Sequence, residues 1–303
     1  MVKRVTIIAP PCVEAGPLRQ GRVSGLAKAA AALEQAGLFG RLESLGLHID
    51  AIERPVLSEA ETTGDPIADL GAYGGLIAAV VAWTIQSGSW PVLTGGSCNH
   101  LPGMIGGIQQ ALGATERLGL LWLDAHGDFN TPNTTLSGML GGMPVAVCAG
   151  LCHAQWREGA GITAPLPASR ILMIDVRNLD VAEEALIRAT DVSIVRIENE
   201  GGLDMVLQRV REFVDSVNSV YVHIDADVLD APLQPNHPSV EPDGLDVQQV
   251  LSIVEAAMES GKVAAFGVVS INPDEPGGDI SLESGMELIA GGVSRWVSLD
   301  RGV

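Results

Sequence analysis

Three residues that bind divalent metals stand at alternate positions in Asp124-Ala125-His126-Gly127-Asp128, and two more stand two apart in Asp225-Ala226-Asp227. Each group follows an apolar run, residues 118–123 before the first and 219–224 before the second. Short apolar runs of this kind read as strands buried in a parallel sheet. Side chains two apart on an extended chain share a side, so each group can converge on one point. Open α/β sheets place their sites at the C-terminal ends of strands. Five ligands, four of them carboxylates, suit hard or borderline divalent ions such as Mn²⁺. Without cations, that many carboxylates would not stay ionised side by side. Loop aspartates that merely cap helices are the ordinary alternative. The shared spacing after two strong strands argues against it.

The rest of the chain supplies elements that position these groups. Residues 5–9 read as a first strand and 26–36 as an Ala- and Leu-rich helix stopped by Gly37. A second strand is expected within 42–52, a loop over 58–65 and a buried helix over 72–86. Residues 91–94 read as a short strand running into Gly95-Gly96-Ser97-Cys98-Asn99-His100, with a helix over 104–112. After the first cluster comes a Thr/Ser/Gly loop over 131–142, then a helix or strand edge over 145–150. Strands over 170–176 and 192–197 alternate with helices over 181–189 and 203–217. A Pro-rich loop over 230–243, a helix over 247–260, a strand over 263–271 and a C-terminal helix from 282 complete the chain. This alternation predicts one doubly wound, mostly parallel α/β sheet with helices on both faces. With no repeat or linker in view, residues 1–303 are expected to form one domain.

Composition narrows the function. The formal net charge is −19, which argues against nucleic acid and anionic membrane surfaces and is compatible with a small cationic substrate. The cysteines, Cys12, Cys98, Cys148 and Cys152, form no disulfide framework, so a reducing cytoplasm is expected. Cys148 and Cys152 beside His153 lack a second half-site and read as packed thiols. The basic start and short apolar run end at Pro10-Pro11, which suits a strand rather than a signal peptide. Residues 70–85 are broken by glycines and fall short of the roughly 18 that a membrane span needs.

Asp124-Ala125-His126-Gly127-Asp128-Phe129-Asn130 and His223-Ile224-Asp225-Ala226-Asp227 resemble the two central signatures of the ureohydrolase (arginase/agmatinase) family. Gly95-Gly96-Ser97-Cys98 falls where that family has Gly-Gly-Asp-His, and residues 137–144 fall on its substrate loop. Val176-Arg177-Asn178-Leu179-Asp180 and Asn272-Pro273 are also similar. The resemblance implies an arginase-like fold and two Mn²⁺ ions. It also implies a metal-bridging hydroxide that attacks a guanidino or amidino carbon and releases an amine. It carries the ligand role to Asp124, His126, Asp128, Asp225 and Asp227, with Asp128 and His126 as the catalytic pair. Asn130, Thr135, Ser137 and Asp180 fall on positions that hold an amino-acid substrate. Homo-oligomers are usual in the family.

Four departures qualify this. Cys98 stands in place of a histidine ligand; a thiolate is softer and shifts preference towards Zn²⁺, Co²⁺ or Fe²⁺. His100, two residues on, is the alternative sixth ligand. Cysteine there is similar to the branch that hydrolyses N-hydroxyarginine. Gly141 replaces a histidine held to shuttle protons in arginases. Ser270 replaces the glutamate that pairs with the guanidinium, and Asp274 or Glu275 would have to reach in to substitute for it. Ser97 and Met139 replace an Asp and an Asn. Ordinary arginase activity is therefore not expected, and a hydroxyguanidine or other modified amidine fits better. Two other classes stand beside this reading: a non-catalytic, metal-binding partner subunit of an active relative, and a zinc deacetylase-like hydrolase.

Overall fold

Strands that are apolar on both faces need helices on both faces, and the chain supplies them in alternation. The computed structural model describes residues 2–11, 25–274 and 276–299. Eight strands form one sheet in the order β2-β1-β3-β8-β7-β4-β5-β6, and every pair is parallel. They are β1 (Arg4–Ile8), β2 (His48–Glu53), β3 (Trp90–Thr94), β4 (Leu118–Leu123), β5 (Ile171–Ile174), β6 (Ser193–Val195), β7 (Ser219–Asp225) and β8 (Val263–Val269). In β4 every residue is buried. Its side chains alternate between two cores, as the pleat requires. Leu121 and Leu123 enter one core, while Leu120 and Trp122 enter the other.

The first core is closed by α1 (Gly25–Gln35), α2 (Leu38–Ser44), α9 (Leu203–Asp215), α10 (Val247–Met258) and α11 (Gly278–Ser298). The second is closed by α3 (Pro66–Gln86), α4 (Leu101–Leu112), α5 (Pro144–Cys148) and α7 (Val181–Arg188). Of the remaining helices, α6 (Ala154–Gly159) packs Trp156 against Leu70 and Val147, and α8 (Ile197–Glu200) is a single turn.

Several expectations need correction. The second strand begins at His48, because residues 38–44 form α2, whose Leu38 and Leu42 are buried. The helix expected over 72–86 begins at Pro66, where Asp65 accepts a hydrogen bond from the Ile67 N–H as its N-cap. At 21 residues α3 is long and apolar enough to cross a membrane, and half of its most apolar stretch is buried in the fold. The glycines that seemed to break it are packing surfaces: a Cβ on Gly74 would lie 2.7 Å from Ala160 Cβ. Cys148 is buried and Cys152 partly so, both as free thiols; Cys12 and most of the 16–25 loop lie outside the described residues.

Candidate metal centre

Strand order places the chemistry. β4 and β7 are neighbours with Leu123 opposite Ile224, so Asp124 and Asp225 leave the sheet side by side. β8 flanks β7 with Val269 opposite Asp225, which brings Ser270 to the same edge. β3 flanks β8, and the turn after it delivers Cys98.

Both aspartate motifs fold alike. Asp124 Oδ1 accepts from the His126 N–H at 2.6 Å, and Asp225 Oδ1 from the Asp227 N–H at 3.0 Å. This is the local turn that an Asp side chain makes with the backbone two residues on. The Ala125 N–H donates to Asp227 Oδ1 at 3.1 Å, which joins the two motifs. Gly127 is required because a Cβ there would lie 2.7 Å from Leu179 Cδ2 and 2.9 Å from Glu183 Oε1. That Glu183 oxygen is already held by the Phe129 N–H at 2.8 Å. Asp128 has φ 44° and Ser270 φ 63°, left-handed values that side chains other than glycine's hold only when the surroundings enforce them.

Three overlapping donor groups result: Cys98 with Asp124 and Asp225, Asp124 with His126 and Asp227, and Asp225 with Asp227 and His237. Within each group the ligand atoms lie within 4.8 Å of one another. Cys98 Sγ is 2.9 Å from Asp225 Oδ2 and 3.7 Å from Asp124 Oδ2. His126 Nδ1 is 3.0 Å from Asp227 Oδ2 and 3.5 Å from Asp124 Oδ1. Asp128, expected as a ligand, is buried and its charge acts on Cys98, but it enters none of the three donor groups.

The electrostatics are those of a site made for positive charge. Burial, then Asp227 and Asp225, raises the Asp124 carboxyl well above its ordinary range. Burial does the same for Asp128, with Asp225, Glu183 and Asp227 adding to it and His126 opposing. Burial and the charges of Asp225, Asp128 and Asp124 push the Cys98 thiol up. Burial disfavours a charged His126, yet its hydrogen bonds to Asp124 and Asp227 push it up to about 12. Asp227 is held below its ordinary value despite burial, by the hydrogen bond from His126 and the charge of His237. Carboxylate, imidazole and thiol donors crowded in this way fit divalent cations. His237 Nε2, buried with no hydrogen-bond partner, is a further donor aimed into the cluster.

His100 is turned away: its Nδ1 accepts from the Ser97 N–H at 2.9 Å and its ring meets Tyr73 edge-on. Of the two expected alternatives, Cys98 is the one inside the cluster. Behind it lies His223, stacked on Trp122 with ring centroids 4.4 Å apart and Nε2 3.5 Å from Cys98 Sγ. Burial, with the charge of His100, lowers the His223 pKa to about 3, so the ring is neutral.

The expected substrate residues divide. Asn130 Nδ2 donates to Asp180 Oδ2 at 3.2 Å, and Thr134 Oγ1 donates to Asn130 Oδ1 at 2.9 Å. Thr135 and Ser137 lie on the 131–142 loop, with their hydroxyls 3.5 Å apart and accepting from the Gly138 and Met139 N–H groups. Ser270 Oγ donates to Asp225 Oδ2 at 2.5 Å. Asp274 accepts from Lys28 Nζ at 2.7 Å and is partly exposed, and Glu275 lies outside the described residues. A Cβ on Gly141 would meet open space.

Two residues were missed in the sequence reading. His237 and Glu241 both come from the 230–243 loop. Glu241 Oε1 is 3.3 Å from His126 Nε2 and accepts from Asn178 Nδ2 at 2.6 Å. The available signal was a histidine and an acid in the loop that directly follows the second aspartate strand.

Comparison with known proteins agrees with this geometry. The chain is 28% identical over 282 residues to an arginase of Bacillus caldovelox, covering 90% of this chain and 92% of that protein. The structure superposes on an arginase of Bacillus cereus with a TM-score of 0.83 at 22% identity, covering 97% of this chain and 98% of that one. A formimidoylglutamase of Bacillus subtilis superposes with a TM-score of 0.73 at 16% identity, covering 98% and 88%. At these identities the two superpositions speak to the fold alone. The profile of the Arginase family matches residues 4–291, and the chain belongs to that family.

Proposed function

We propose that this chain, a ureohydrolase-type hydrolase, cleaves a C–N bond of a small guanidino, hydroxyguanidino or amidino compound at a centre that holds two divalent ions. The observation that carries this reading is the convergence of Cys98, Asp124, His126, Asp225 and Asp227, with Asp128 buried beside them, at the ends of adjacent strands. Asp124, Asp225 and Asp227 each belong to two of the three donor groups, so these three carboxylates would be shared between neighbouring ions. When bound, such a pair lowers the pKa of a shared water and offsets charge developing at the attacked carbon. Asp128 would take a proton from the attacking water and pass it to the departing amine nitrogen. Its backbone is left-handed, its carbonyl accepts from the Val145 N–H at 3.0 Å, and its carboxyl is buried. Asn130 and Asp180, already joined, with Thr135 and Ser137 on the outer loop, orient the substrate's amino-acid end. The metals are Mn²⁺ or, given the thiolate, a softer divalent ion. A cationic substrate suits the net charge of −19. The protein works as a homo-oligomer in the cytoplasm.

Purified protein loaded in turn with Mn²⁺, Co²⁺ and Zn²⁺ is assayed against a panel of guanidino, hydroxyguanidino and amidino compounds. The expected result is metal-dependent amine release that Asp128→Ala abolishes. No turnover of any compound with any metal would overturn the reading and favour a non-catalytic partner subunit. That alternative draws on Ser270, which places a hydroxyl where the family's guanidinium-binding glutamate stands.

A further inference from the structure

We infer that His237 is itself a metal ligand, supplied through Nε2 from the 230–243 loop to the ion shared by Asp225 and Asp227. The inference rests on the metal-centre reading above and adds a donor to it. The His237 side chain is 6% exposed, with Nε2 3.7 Å from Asp225 Oδ1 and Nδ1 3.6 Å from Asp227 Oδ2. Nε2 is buried and has no hydrogen-bond partner. A buried imidazole nitrogen without a partner is costly, and a cation removes that cost. Nδ1 lies 3.1 Å from the Ser239 carbonyl oxygen and accepts from the Ser239 N–H at 3.1 Å in the other tautomer, so an ion on Nε2 selects the form in which Nδ1 carries the proton. Donation of the Nδ1 proton to that carbonyl leaves the Nε2 lone pair facing the carboxylates. Metal-binding histidines are held in this way, the second nitrogen donating to a backbone carbonyl.

The loop around His237 is built to hold it. Asn236 Nδ2 donates to the Asn272 carbonyl at 3.0 Å and to the Asp274 carbonyl. Asn272 Nδ2 returns a bond to the Asn236 carbonyl at 2.8 Å, and Ser281 Oγ donates to Asn236 Oδ1 at 2.6 Å. The residue beside His237 is thus tied to the segment after β8 and to α11. His237 restores a second imidazole to a centre in which a thiol takes one histidine position. It approaches from the loop side, whereas Cys98 approaches from the end of β3.

The test reads metal binding, so it stands apart from any failure to find a substrate. Metal-free full-length protein is titrated with Co²⁺ against a chelator, as wild type, His237→Ala, Cys98→Ser and the double variant Cys98→Ser/His237→Cys, with circular dichroism confirming the fold. His237→Ala is expected to weaken one of the two ions by at least about tenfold, the lower bound seen on removing even an outer partner of a ligand. The double variant is expected to gain a thiolate-to-cobalt charge-transfer band that Cys98→Ser alone lacks. A folded double variant with no such band overturns the inference, even where His237→Ala binds more weakly, because loss of packing alone produces weakening. So does a His237→Ala affinity within about twofold of wild type for both ions.

Discussion

The Ser270 hydroxyl donates to Asp225 Oδ2 across 2.5 Å, so the residue that follows β8 serves the metal centre and presents no negative charge to a substrate. A buried guanidinium needs a carboxylate with which to form charge-assisted bonds, worth about 1.5–3 kcal/mol each. Asp274, the described one of the two substitutes expected from the sequence, is held by Lys28. L-Arginine should therefore be a poor substrate, with kcat/KM about 100-fold below that of the best hydroxyguanidino or amidino compound, and Ser270→Glu should narrow that gap. Parallel kinetics on arginine and the preferred compound check this. An equal response of both substrates to Ser270→Glu would show that the position does not read the guanidinium.

Cys98 should decide which metal is preferred. Its sulfur lies 2.9 Å from Asp225 and 3.7 Å from Asp124, within reach of an ion bound to either. A thiolate favours Zn²⁺, Co²⁺ or Fe²⁺ over Mn²⁺. Wild-type protein should retain a softer ion in competition with equal Mn²⁺. Cys98→His should shift retention towards Mn²⁺, and Cys98→Ser should lower total content from two ions per chain towards one. Elemental analysis after dialysis against mixed metals reads all three.

The metal strands were legible because their information is local: an apolar run, then aspartates two apart, each folding its own turn. The strand order that sets β4 beside β7 was not legible, because it depends on how distant strands pair. Nor was His237, because its position depends on Asn236 pairing with Asn272 across 36 residues of sequence. The choice between Cys98 and His100 was hidden for a similar reason. It turns on His100 packing against Tyr73 of a distant helix. Residues 38–44 are too short to mark a helix by period, so α2 was not expected, and its last three residues fell within the span expected to hold the second strand.

Glycines on α4 should tolerate no side chain. A Cβ on Gly106 would lie 2.0 Å from the Ala160 carbonyl oxygen, and one on Gly103 would lie 2.7 Å from that of Gly74. Backbone atoms cannot move aside cheaply, so Gly106→Ala should destabilise by about 3 kcal/mol, at the upper end of overpacking costs. Gly40 in α2 meets nothing within 4 Å, and Gly40→Ala should stabilise by about 0.5–1 kcal/mol through helix propensity. Urea denaturation of both variants checks the contrast.

Metal affinity should rise with pH. In the metal-free cluster the Cys98 thiol and the Asp124 and Asp128 carboxyls have pKa values raised well above their ordinary ranges, first by burial and then by neighbouring carboxylates. His126 is pushed up to about 12 despite burial, by Asp124 and Asp227. Thiol, carboxyl and imidazole groups take a metal only in their deprotonated forms, so loading of the proposed centre should expel protons. Protons and metal compete, and the apparent Kd falls as pH rises, by about tenfold per pH unit for each proton released. Between pH 6 and pH 8 the apparent affinity should therefore climb at least about 100-fold. Calorimetry in buffers of different ionisation enthalpy should show at least one proton released per ion. Asp124→Asn removes one of these protons and a carboxylate common to two donor groups, so it should both weaken binding and flatten the pH dependence. A pH-independent Kd in the wild type would mean that the cluster is already fully ionised before metal arrives.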